Sequence, residues 1–264
     1  MRITIAASCA RTRSSGERDI EGREAHGGCP RRFPNSDCPV LADPALASDP
    51  GFAQRFLLEG RIAASLRQWH ILEIHDVGVF QGQAYLALDD VPGGSLAQFA
   101  GGMSPPEALR LVAEIASALA LAHAKGMIHR EFKPENMLRQ ADGAFVLADS
   151  GIARMLGSEP LTREGLCAGT PAYMAPEQWG QQPLDGRAVF YGLGIVLFQM
   201  LSVAVPYSGE DGWAIGMQHL QAPLPRLPAE CAGLQPLLAR LLAKNPPLRF
   251  ADADELLSSV GEFE

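Results

Sequence analysis

The residues of this chain best suited to chemistry fall in one octapeptide, His129-Arg130-Glu131-Phe132-Lys133-Pro134-Glu135-Asn136, and at Asp149 downstream. Glu131 offers a carboxylate base. Lys133 offers an ammonium that can neutralise phosphate, and Asn136 with Asp149 supplies two oxygen donors of the hard kind that suit Mg²⁺. A base, a cation and a metal are what phosphoryl transfer asks of a protein, because the reaction needs position and charge stabilisation more than covalent work. Phe145-Val146-Leu147, just ahead of Asp149, reads as a short apolar strand that delivers it.

The octapeptide resembles the HRDxxxxN catalytic loop of the eukaryotic-type protein kinases, with Glu131 where that family carries Asp. Three further signatures follow in order. Ala148-Asp149-Ser150-Gly151 stands where the family has DFG. Gly169-Thr170-Pro171-Ala172-Tyr173-Met174-Ala175-Pro176-Glu177 resembles the end of an activation segment, and Arg249 stands where the family pairs an Arg with the Glu of APE, here Glu177. The resemblance covers roughly Leu41 to Val260 and is to the bacterial serine/threonine (Hanks) type.

It implies an α+β, two-lobed protein kinase fold. Residues 1–39 are expected to be irregular, 40–92 to form a small, incomplete β-rich N-lobe, and 93–264 a large, mainly helical C-lobe. It also implies roles. Glu131 would be the base, Lys133 would act on the transferring phosphoryl group, Asn136 and Asp149 would hold Mg²⁺, and Thr170 would contact the base and Lys133. Leu88, Asp89 and Val91 would lie at the hinge that holds the adenine of ATP, with Glu59 on the regulatory helix. His129 takes a structural role, and Arg130 one in organising the activation segment, by pairing with a phosphorylated Thr162 or Ser158.

The departures from the pattern are as informative. Gly16 and Gly27-Gly28 do not form the GxGxxG spacing of the loop that covers the phosphates. Matching Pro44 to Phe52 against the family puts Pro39 or Val40 where the third strand needs Lys. The chain's lysines are Lys125, Lys133 and Lys244, all in the C-lobe segment. Val189 replaces the Asp that braces the catalytic loop, and Ser150 the Phe of DFG. Glu131 is longer than Asp by a methylene, about 1.5 Å, and a misplacement near 1 Å costs roughly a hundredfold in rate. The expectation is therefore a pseudokinase, a regulatory or binding module for a protein partner, with ATP and Mg²⁺ as candidate ligands. The alternative is a weakly active kinase that transfers the γ-phosphate of ATP to protein Ser or Thr. A different start or reading frame before Leu41 is a third reading, which translation of the upstream DNA tests.

The elements that must position these residues are legible as patterns. Phe52–Leu66 reads as a helix, and 71–77 and 84–91 as strands. Ser104-Pro105-Pro106-Glu107 reads as a capping box that starts a long helix with Val112, Ile115, Ala116, Leu119 and Ala120 on one face, ending at Gly126. The apolar run from Val189 to Val205 is interrupted by Gln199 and Ser202, and reads as a buried core helix rather than a membrane span. Leu234 to Leu242 and Ala253 to Val260 complete the helical set.

Bulk properties narrow the function. A net charge of -8 over 264 residues argues against nucleic acid, which is bound by Lys and Arg. Scattered cysteines without a CxxC pair suggest neither zinc nor a disulfide framework. The short apolar start, followed at once by Arg11 and Arg13, is a poor export signal. Cytoplasmic residence without membrane attachment is the expectation.

Overall fold

The computed structural model describes residues 38–41, 50–80, 83–99, 102–129, 132–148, 170–180 and 184–263. Contacts divide the chain into two compact units, one of Met1–Ser65 with Glu73–Asp90, the other of Leu66–Leu72 with Val91–Glu264.

The first unit holds a three-stranded antiparallel sheet and a helix. Its strands are β1 (Cys38–Leu41), β2 (Ile74–Phe80) and β3 (Gln83–Leu88), in the order β1-β3-β2, with α1 (Pro50–Ala63) between β1 and β2 in sequence. Among the described strands β1 therefore lies at an edge, with Pro39 opposite Ala87 and Val40 opposite Leu86. An edge strand tolerates a residue that cannot donate to the ladder, so Pro39 belongs to a strand although the sequence pattern reads as irregular there. Gly60 lets α1 approach the sheet. A Cβ at that position would lie 2.7 Å from Leu86 Cδ2 and 2.9 Å from Val77 Cγ1. The β2–β3 register shifts between Ile74 and Asp76, and the intervening His75 binds Asp89 at 2.5 Å while Asp76 accepts the Tyr85 hydroxyl at 2.7 Å. The strands run 74–80 and 83–88 rather than 71–77 and 84–91, because Ile71 and Leu72 are held by the second unit.

The second unit is mainly helical. α2 (Pro105–Ala124) begins with Pro at its first position, but Ser104 makes no side-chain cap bond. The expected capping box does not close, because Glu107 binds Arg139 at 3.0 Å instead. The helix stops before Gly126, whose φ of +73° costs glycine little. β4 (Met137–Arg139) and β5 (Phe145–Leu147) form a short antiparallel hairpin, and α3 (Pro176–Trp179) follows. α4 (Arg187–Ser202) is buried on nearly every side, from Ala188 through Phe198 and at Met200 and Leu201, which makes the apolar run a core helix. α5 (Gly212–Gln221) is capped by Asp211, which accepts the Ala214 amide at 2.7 Å. α6 (Gln235–Leu241) packs on α4, and α7 (Ala253–Val260) on α2. Among the described residues no helix is long and apolar enough to cross a membrane.

Candidate functional site

The site grows out of the β4–β5 hairpin. Met137 pairs with Leu147, Leu138 with Val146 and Arg139 with Phe145. One step further along, the Ala148 amide donates to Asn136 O at 2.8 Å. This register brings Asn136 beside the residue immediately before Asp149. Asn136 is buried, at 5% exposed, and ends a single 3₁₀ turn opened by Pro134. His129, also buried, places Nε2 3.4 Å from Ala148 O, so both backbone groups of Ala148 are engaged.

The loop leading into this turn rests on α4. Phe132 is buried, and a Cβ added at Gly192 would sit 3.2 Å from Phe132 Cβ and 3.4 Å from Tyr173 O. Glycine at 192 thus lets the core helix approach both the loop and the turn after Thr170. Lys133, in extended backbone, and Thr170 line one small cavity of about 20 Å³ with His129, Phe132, Tyr173 and Val189. That volume is room for about one water. Tyr173 closes it on one side by donating to Gln199 Oε1 at 2.8 Å, and burial and Glu135 push its hydroxyl up to about 12.

A polar network holds the segment that follows Thr170. Arg249, 2% exposed, donates from Nη1 to Glu177 Oε1 at 2.6 Å and from Nη2 to Oε2 at 2.8 Å. It also donates to the carbonyls of Ala243 and Arg187, and its guanidinium lies over the Tyr191 ring at 4.9 Å. The pair predicted between Glu177 and Arg249 is thus formed, and it is bidentate. Tyr191 also meets fully buried His219, its hydroxyl 2.9 Å from Nδ1. Burial and Lys244 lower His219 to about 4, while the carbonyls of Pro171 and Ala172 favour its charged form. Lys244 bonds the Tyr207 hydroxyl at 3.0 Å and sits 4.4 Å from that ring's centre; burial and Arg249 pull its ammonium down to about 8.

Not all the residues singled out from the sequence are described. Glu131, Arg130, Asp149, Ser150, Ser158 and Thr162 lie outside the described residues, as does the side chain of Glu59. Lys133 and Thr170 line the same cavity, and Asn136 flanks Ala148. In the first unit, Leu88 pairs with both Cys38 and Ile74, and the Asp89 amide is engaged by Glu73 O at 3.1 Å. In the second, Val91 O accepts from Gly94 N at 3.5 Å. Sequence reasoning missed His70 and Glu114, which touch β5 from outside the hairpin; no motif marks either one.

Of the two residues expected to hold Mg²⁺, the structure describes Asn136, whose amide oxygen is a hard donor of the kind that ion takes. Mg²⁺ takes one or two carboxylates together with phosphate oxygens and water rather than a dense protein cage. Among the described residues there is no cluster of three His, Cys, Asp or Glu.

The protein kinase domain family matches residues 46–260. The chain is 37% identical over 223 residues to the serine/threonine-protein kinase PknH of Mycobacterium tuberculosis, covering 82% of this chain and 36% of that protein. It is 37% identical over 227 residues to PknE of the same organism, covering 83% and 40%. The crystal structure of the Mycobacterium tuberculosis PknI kinase domain superposes with a TM-score of 0.65 at 30% identity, over 86% of this chain and 84% of that one. The chain belongs to the protein kinase family, as a serine/threonine protein kinase domain with the kinase fold, a small strand-bearing lobe and a helical one. It spans well under half the length of the two curated relatives.

Proposed function

We propose that this domain is a pseudokinase, a module that binds Mg²⁺ with nucleotide and presents its helical unit to a protein partner, without efficient phosphoryl transfer. The observation that carries this reading is β1. The strand paired along the outer edge of β3 reads Cys38-Pro39-Val40-Leu41, and every lysine of the chain lies in the second unit. In this reading no β1 cation meets the α and β phosphates, and loss of such a charge from a low-dielectric site costs several kcal/mol of stabilisation.

Asn136 and Asp149 would hold the metal through their oxygens, and Leu88, Asp89 and Val91 would line the adenine end. When bound, Mg²⁺ would neutralise phosphate charge. Lys133 would add a second positive group from the loop, held in extended backbone by Pro134 after it. Glu131 would place its carboxylate beyond where the shorter Asp would reach. A second reading, slow phosphorylation of protein Ser or Thr, draws support from the shared cavity of Lys133 and Thr170.

Radiolabelled ATP with Mg²⁺, offered to the chain alone and with a generic basic protein, separates the two. The expected result is a nucleotide-dependent rise in Tm with no label transferred. Rapid labelling that disappears in Asp149→Ala would overturn the pseudokinase reading in favour of the enzyme.

A further inference from the structure

β5 is three residues long, yet it pairs with the strand that follows Asn136, a metal ligand in the proposed function. One edge pairs with β4. Because backbone groups alternate along a strand, Phe145 and Leu147 both direct their N–H and C=O to the other edge. At Leu147 that edge is covered by a stub of chain: the Leu147 amide donates to His70 O at 2.8 Å, and the Leu72 amide donates to Leu147 O at 3.0 Å. The stub does not reach Phe145. There, two side chains take over. Glu114 Oε2 on α2 accepts the Phe145 amide at 2.7 Å, and His70 Nδ1 lies 2.9 Å from Phe145 O. Since a carbonyl can only accept, His70 carries its proton on Nδ1. The two side chains also face each other at 4.0 Å.

We propose that Glu114 and His70 are positioning residues that stand in for a third strand on β5, gripping both backbone groups of Phe145 and so fixing the hairpin that carries Asn136, to which the proposed function gives Mg²⁺. The grip is itself anchored. Gln68 accepts the His70 amide at 2.7 Å and donates to Ser117 Oγ at 2.8 Å, which ties the stub to α2 one turn beyond Glu114. Phe145 is fully buried, and its ring carries the guanidinium groups of Arg110 at 5.7 Å and Arg139 at 5.9 Å. Both arginines belong to the same clamp, for Arg110 donates to Gly143 O at the hairpin tip and Arg139 to Glu107 on α2.

This inference rests on the metal-binding reading above, and its test separates the two. Mn²⁺ binding to the full chain with a non-hydrolysable ATP analogue is followed by electron paramagnetic resonance, and amide exchange at Phe145 and Leu147 by NMR. Glu114→Ala is expected to weaken Mn²⁺ about tenfold and to speed exchange at Phe145. Glu114→Gln, which keeps an acceptor oxygen, is expected to restore both, and His70→Ala to give a smaller loss of the same kind. His70→Ala serves as the comparison should Glu114→Ala fail to fold. Mn²⁺ binding by the wild type that is unchanged in Glu114→Ala or His70→Ala overturns the positioning role alone, as does a Gln variant no better than Ala. A wild-type chain that binds no Mn²⁺ overturns both readings.

Discussion

The two units differ in whether they bury an ion pair among their described residues. In the helical unit one ion pair is fully buried, Arg249 with Glu177 under the segment after Thr170, and half-buried Glu114 accepts the Phe145 amide. In the strand unit, His75 pairs with Asp89 near the surface and Asp76 accepts the half-buried Tyr85 hydroxyl, and the strand that the sequence match sets against the family's phosphate-binding Lys carries Pro and Val. The difference teaches where a catalytic pattern persists. Lys133, Asn136 and Thr170 sit on backbone that the core also needs, whereas a β1 lysine would serve the phosphates alone.

The largest expected effect breaks the buried pair. Arg249→Ala leaves Glu177 charged and unpaired inside the helical unit and is expected to cost about 3–5 kcal/mol in urea unfolding. The double variant Glu177→Leu, Arg249→Met is expected to recover much of that; an Arg249→Ala loss below 1 kcal/mol would show that the pair is not dehydrated. Acid comes next. His219 has a folded value of about 4 against an ordinary 6.5, so the unfolded chain takes up a proton over that range that the folded chain refuses. Stability present above pH 6.5 is lost as the pH falls toward 4, by roughly 3 kcal/mol, and His219→Phe is expected to flatten this part of the profile.

The strand unit answers more weakly. Gly60→Ala drives a methyl into Leu86 and Val77 and is expected to cost about 1–3 kcal/mol, read as a fall in Tm. Smallest of all, Pro39→Lys or Val40→Lys returns a cation to β1. One of the two is expected to tighten Mg²⁺–nucleotide binding about tenfold by calorimetry, which is about 1.4 kcal/mol. No gain from either would mean that the strand unit lacks more than a charge.

Much of the fold was legible because it rests on local patterns. The run after Val189 read as a buried helix from composition, and the pairing of Glu177 with Arg249 from two motifs far apart in sequence. Pro39 in a strand was not legible, since only the order β1-β3-β2 puts that strand at the edge of the described sheet. The Ser104 box misled because it tests only spacing; Arg139 competes for Glu107 from 32 residues away. His70 and Glu114 escaped for the same reason. Each is an ordinary polar residue until the chain brings it to Phe145.

By itself, the amino-acid sequence determined the family, the helical periodicity of the large unit, and the absence of a lysine ahead of Lys125. These follow from residue identity and short-range spacing, which folding does not alter. Tertiary structure alone decided which backbone groups would need a partner and which side chain would supply it, because a hydrogen bond is set by distance in space and not by distance along the chain.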